Sequence, residues 1–233
     1  MRELGCKVIL ICANFSEIAE KLVEKGIGRV DFILADLGLS SAQLGDAELG
    51  LSFQSNMTLD MRIDKRLKRS AADIIRETDE KSLADLIYRF GGERGSRRIA
   101  RFIVAERGRR SIRTTGELAS IVSRALARAA PGGRGRLHPA TRTFQALRIA
   151  VNNELENLER LLAAAPGILK PKGRIAVISY HSLEDGLVKK NFRQNEKSGN
   201  YKVITSKPIA PSRGEITENR RARSAKLRIA ERQ

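Results

Sequence analysis

Val30-Asp-Phe-Ile-Leu-Ala-Asp36 is an apolar run that ends on an acid and passes at once into Leu37-Gly-Leu-Ser-Ser41. An apolar run of this length reads as a buried strand of a parallel sheet. Upstream, Phe15 to Lys25 carries Ile18, Leu22 and Val23 on one helical face, with Ser16 as the expected N-cap and Gly26-Ile-Gly28 as its end. Before it, Val8-Ile-Leu-Ile-Cys12 reads as another buried strand. Strand, helix and strand in this order predict a parallel βαβ unit.

Downstream the texture changes. Residues 37–64 are turn-rich, with Gly38, Gly45 and Gly50, and residues 70–130 show apolar residues at helical spacing. Helices are expected over Ala71–Arg76, Ser82–Phe90, Ser96–Glu106 and Thr115–Ala129, the last opened by a capping box at Thr114-Thr-Gly-Glu117. Pro131-Gly-Gly-Arg-Gly135 is a break and reads as a linker rather than a phosphate loop, because it follows a helix and not a strand. Thr141 to Leu162 reads as one long helix with Phe144, Leu147, Val151, Leu155, Leu158 and Leu162 in a buried stripe. Lys170-Pro-Lys-Gly173 reads as a tight turn and Arg174–Ser179 as a third buried strand. A helix over Leu183–Arg193 and late strands at Tyr201–Thr205 and Ala225–Ile229 complete the pattern. The sum is an α/β sheet protein with an inserted helical domain. In such sheets chemistry sits at the carboxyl ends of strands, here Ala13–Phe15, Asp36–Ser41 and Ser179–Glu184.

The 233 residues are 41% hydrophobic and 30% charged, a globular balance. No run approaches the roughly 18–20 apolar residues of a membrane span, and Val8–Cys12 is too short for a signal-peptide core. Cys6 and Cys12 lie too far apart along one strand to pair, and two His with two Cys make no zinc pattern. These features predict a reduced cytoplasmic protein with no membrane segment and no metal. The net charge is +17 and falls in blocks: −4 over residues 1–61, +12 over 62–142, zero over 143–188 and +9 over 189–233. Such blocks attract polyanions, and the arginine-rich composition of the second suits phosphate contact. Aromatic residues at 4% argue against a base-stacking sheet.

Several residues could carry chemistry. Asp36 can accept hydrogen bonds from a ribose or an amine, or simply cap a turn. Ser179-Tyr-His-Ser-Leu-Glu-Asp185 is too local for a Ser/His/Asp triad and lacks the nucleophile elbow. His181 and Ser182 there could touch substrate, while a serine with Glu184 and Asp185 could equally cap a helix. Gln145, Arg148 and Asn152 share one helical face, which usually means solvated surface. Arg142 and Arg148 could instead bind a phosphate or substrate.

Five strings, taken in order, resemble a known family. They are Asp36-Leu-Gly-Leu-Ser-Ser-Ala-Gln-Leu44, Leu59-Asp-Met-Arg-Ile-Asp64, His138-Pro-Ala-Thr-Arg-Thr-Phe-Gln-Ala-Leu-Arg-Ile149, Val177-Ile-Ser-Tyr-His-Ser-Leu-Glu-Asp185 and Arg221-Ala-Arg-Ser-Ala-Lys-Leu-Arg-Ile-Ala-Glu-Arg232. The family is ribosomal RNA small subunit methyltransferase H, the 16S rRNA cytosine-N4 methyltransferases. The resemblance implies a class I Rossmann-like sheet using S-adenosylmethionine, with Phe15, Asp36 and Gln43 as cofactor contacts. It implies small-subunit rRNA or the ribosomal subunit as partner and leaves the catalytic residue unassigned. It also implies that the family's first two strands and glycine-rich loop are missing here, so the chain is either a shortened enzyme or an rRNA-binding remnant. The expected partition is a methyltransferase domain of residues 1–44 and 138–233 around a basic helical substrate domain of 45–137. Departures from the family pattern cluster at Ala42, Leu49, Asn56-Met-Thr58, Gly186 and Arg220.

Overall fold

The computed structural model describes residues 7–40, 43, 45–46, 48–53, 56–127 and 138–233. They form two compact units, one running to Gly38 and resuming at Leu155–Gln233, the other Leu39–Glu154.

The first unit is a mixed sheet of β1 (Val30–Asp36), β2 (Leu169–Ser179), β3 (Tyr201–Val203) and β4 (Lys226–Arg232) in the order β1-β2-β4-β3. β1 runs parallel to β2, and β4 is antiparallel to both of its neighbours. One face is closed by α7 (Glu154–Ile168), which leads directly into β2, and by α8 (Ser182–Lys197), which leaves it. Ile33, Ala35, Ile175, Val177 and Ala230 pack there with Leu158, Leu161, Leu162, Val188 and Phe192. α1 (Ile18–Glu24) follows a 3-10 turn at Phe15–Glu17, and α9 (Arg213–Glu218) precedes β4. The cap of that turn is Asn14, not Ser16: its side chain accepts the Ser16 N–H at 3.0 Å, and Glu17 returns the bond to Asn14.

Two strand expectations are corrected. Val8–Cys12 forms no strand, and its apolar residues are exposed, Leu10 by 81%. β1 is buried on one face only: Ile33 and Ala35 are inside, while Phe32 and Leu34 are 53% and 59% exposed. The reasons are linked. Among the described residues β1 pairs on one edge alone: Val8–Cys12 does not take up its outer edge, and the strand's second face is left exposed. The expected turn at Lys170–Gly173 lies inside β2, as a register irregularity with Lys172 at φ +65°.

The second unit is helical: α2 (Ala71–Glu77), α3 (Glu80–Gly91), α4 (Ser96–Arg107), α5 (Thr115–Leu126) and α6 (Thr141–Asn152). Thr114 and Glu117 do form a reciprocal capping box at the start of α5. The core joins Ile75, Leu83, Ile87, Ile99, Ile103 and Leu118 to Phe144, Leu147 and Val151 of α6. The long helix expected over 141–162 is broken at Asn153, whose φ of +50° is left-handed. Its stripe therefore serves two cores, with Phe144 to Val151 in the helical one and Leu158 onward in the sheet. This moves the unit boundaries from the expected 44 and 138 to 38 and 154.

The Leu59–Asp64 string is a packed loop. Leu59 and Met61 are buried, and Asp60 binds Arg62 through both oxygens at 2.7 and 2.9 Å. That pairing holds the Asp60 carboxyl below its ordinary range. Gly50, at φ +60°, is required beside it, because a Cβ would fall on the Thr58 carbonyl oxygen. The break at Pro131–Gly135 lies outside the described residues. Among those described, no helix is long and apolar enough to cross a membrane.

Candidate active site

β1 and β2 end together. Asp36 is the register partner of Ile178, and the Leu37 N–H donates to the Ile178 carbonyl at 3.1 Å. Parallel pairing thus delivers Asp36 and Tyr180 side by side at the carboxyl edge of the sheet. The Tyr180 hydroxyl donates to Asp36 Oδ1 at 3.0 Å, and the Gly38 N–H donates to the same oxygen at 3.2 Å. A Cβ at position 38 would stand 2.7 Å from the Tyr180 ring, so a side chain there would displace the ring from Asp36. The other carboxylate oxygen, Oδ2, has no partner among the described residues, and Asp36 is exposed. Burial, then the bond to Asp36, push the Tyr180 hydroxyl up to about 12. It is therefore a neutral donor across physiological pH.

Tyr180 is held from behind. Its N–H donates to Glu184 Oε2 at 2.8 Å, and the His181 N–H reaches the same oxygen at 3.3 Å. Glu184 is almost fully buried in this role. His181 returns the bond, with Nδ1 accepting the Glu184 N–H at 3.4 Å. The N-cap of α8 is thus a histidine rather than either serine, and the pair is a capping box. Next to it, Asp185 takes Arg228 Nε at 2.6 Å and Lys226 Nζ at 3.2 Å, pinning α8 to β4. Burial alone would raise the Asp185 carboxyl, but these two cations more than offset it and hold it low.

The other sequence candidates are spread over both units. Phe15 opens the 3-10 turn of the sheet unit with its ring 41% exposed. Gln43 belongs to the helical unit, where its Oε1 accepts the Ser40 N–H at 2.9 Å and its N–H donates to Ser40 Oγ at 3.1 Å. Arg142 reaches the Gly92 carbonyl at 3.4 Å and lies 3.8 Å from Glu93, at the end of α3. Arg148 binds Glu154 through two bonds of 2.7 and 2.9 Å. Both arginines are engaged within their own unit. Asn152 is not solvated surface: it is buried, takes the Ile63 N–H at 2.9 Å and donates to the Met61 carbonyl at 2.8 Å. Ser182 is the exposed first residue of α8. Sequence reasoning gave Tyr180 no role, and read Glu184 only as an acid of a helix cap, the role that it takes. The available signal for Tyr180 was its place just past a strand parallel to the one ending at Asp36.

A parallel pair ending on a half-engaged carboxylate, closed by an antiparallel strand inserted beside the pair, is the α/β sheet of Rossmann-like methyltransferases. The comparisons narrow this class: the chain belongs to the MraW methylase family, whose model matches residues 1–233. It is 55% identical over 204 residues to the ribosomal RNA small subunit methyltransferase H of Acaryochloris marina, covering 88% of this chain and 66% of that one. The protein of the same name from Koribacter versatilis is 48% identical, over 100% of this chain and 72% of the relative. That from Acidobacterium capsulatum is 51% identical, over 98% and 75% respectively. The chain thus spans from about two thirds to three quarters of these relatives' length.

Proposed function

We propose that the chain is an S-adenosylmethionine-dependent methyltransferase that modifies the exocyclic N4 of a decoding-site cytidine in 16S rRNA. The observation that carries this reading is the Asp36 carboxylate, fixed on one oxygen by Tyr180 and Gly38 and open on the other. The site's donor set fits the cofactor. An open carboxylate oxygen accepts ribose hydroxyls or an ammonium, and the exposed Phe15 ring offers a planar apolar surface to adenine. S-adenosylmethionine supplies a methyl group on a positively charged sulfur.

The chain's own residues bind and orient. A cytosine amine shares its lone pair with the ring, so attack depends on positioning. An acceptor at Asp36 Oδ2 would hold either a cofactor group or one amine hydrogen. Tyr180, fixed through Glu184, keeps that carboxylate from turning. The base must leave its stack to reach a strand end. The +12 and +9 blocks supply the cations that grip the RNA backbone.

The test is methyl incorporation from labelled S-adenosylmethionine into small-subunit rRNA, with the product nucleoside identified, beside filter binding of the same RNA. Asp36→Ala should lower incorporation at least tenfold, as expected for loss of a charge-assisted bond worth about 1.5–3 kcal/mol. RNA binding should persist, because Asp36 lies in the acidic segment. Full activity in the variant would remove Asp36 from the site. Binding without any transfer by the unmodified chain would leave an rRNA-binding protein and refute the enzyme.

A further inference from the structure

About half of the described cations of the helical unit have counter-charges, and the rest, Lys81, Arg94 and Arg109 among them, are scattered over several helices and the turns between them. Asp60 holds Arg62, Asp64 holds Arg66, and Glu106 holds both Arg110 and Arg124. The second half of α8 is different. Lys189, Lys190, Arg193 and Lys197 are all exposed, and among the described residues none of their side chains has a hydrogen bond or an ion pair. Glu196 is the acid within this stretch, and it is engaged with the Val203 N–H at 3.0 Å. Residues 189, 193 and 197 fall at steps of four, so they form one row along the helix, with Lys190 beside it. The four cations line a shallow groove of about 720 Å³ together with Gly186, Gln194 and Glu196. A Cβ at Gly186 would meet nothing within 4 Å, so the groove is open at the end nearer Tyr180.

Unpaired cations held in a row on a rigid element repel one another unless an anion meets them. Their spacing fits a polyanion rather than a single phosphate. Four residues rise about 6 Å, so the row spans about 12 Å, longer than one phosphate group and matched to a short run of strand backbone. The helix is the one whose cap fixes Tyr180. Lys189 lies roughly 10 Å along it from Ser182, so the row begins within a short run of strand backbone of the candidate site.

We infer that the exposed face of α8 is a backbone-phosphate rail for the RNA strand entering the site, with Lys189, Lys190, Arg193 and Lys197 as its contacts. The assignment rests on the rRNA reading above and adds a location to it. The rail positions the strand and reads no sequence, because its cations meet phosphates and not bases.

The test compares the unmodified chain with a variant carrying Lys189→Gln, Lys190→Gln, Arg193→Gln and Lys197→Gln. Glutamine keeps helix propensity, so circular dichroism should be unchanged. Anisotropy of a labelled small-subunit rRNA fragment is followed against salt. Four single-strand phosphate contacts should make the log–log salt slope shallower by about 3, with at least a tenfold loss of affinity at low salt. A second variant that preserves charge, with Lys189→Arg, Lys190→Arg, Arg193→Lys and Lys197→Arg, should bind within about twofold of the original. An unchanged slope in the glutamine variant would overturn the rail while leaving the rRNA reading intact. Equal losses in both variants would overturn the charge-based contact. An unmodified chain that fails to bind rRNA would overturn both.

Discussion

Tyr180 gives a direct spectroscopic handle on the site. Subtracting the alkaline titration of Tyr180→Phe from that of the unmodified chain isolates its phenol. The midpoint should fall near the value of about 12 that burial and the Asp36 bond impose, against 10.0 for a free tyrosine. In Asp36→Asn the midpoint should drop but stay above 10.0, since burial is the larger cause and remains. The raised value also bears on stability. The protonated phenol contributes stability that is complete below the unfolded pKa of 10.0 and is lost as pH rises through about 12. Urea melts between those limits should therefore show a steeper decline for the unmodified chain than for Tyr180→Phe. Parallel declines would mean that the hydroxyl is neither buried nor held by Asp36 in solution.

Asn152 shows how an element can hide its role. Its amide closes the backbone of the Leu59–Asp64 loop onto α6, meeting Met61 and Ile63. Asn152→Leu should destabilise the helical unit by about 2–3 kcal/mol, because it leaves a buried N–H and carbonyl unpaired. A chemical-denaturation midpoint unmoved by the substitution would contradict that role. Periodicity placed Asn152 on a polar stripe with Gln145 and Arg148, and nothing in a stripe says that a loop ninety residues earlier will lie across it. The same physics separates what was legible elsewhere. Helices α3 to α5 could be read because local apolar spacing and the Thr114–Glu117 cap specify them without outside help. The break at Asn153 could not, because an unbroken apolar stripe does not say that its two halves face different cores. Asp36 was legible as a strand-end acid, and its partner Tyr180 was not, since their pairing depends on the register of β1 against β2.

At the scale of the molecule, the sheet ends on an uncovered strand. Phe32 and Leu34 of β1 are exposed, as are Val8 and Leu10, and the outer edge of β1 has no ladder partner among the described residues. Exposed apolar edges recruit other strands. The chain should therefore associate as its concentration rises, and Phe32→Lys with Leu34→Lys should restore a monodisperse peak in light scattering. A chain already monodisperse at high concentration would show that the edge is covered in solution. The sheet's strand order has a further consequence, for the timing of folding on the ribosome. The helical unit is one continuous segment, Leu39–Glu154, and can close its core as soon as it has emerged. β2 cannot. Its neighbour on one side, β4, begins at Lys226, so at translation rates of about 5–20 residues per second that edge stands open for seconds after Ser179 has been made. The strand that places Tyr180 beside Asp36 thus waits on residues not yet synthesised, and the candidate active site matures after the helical unit rather than with it.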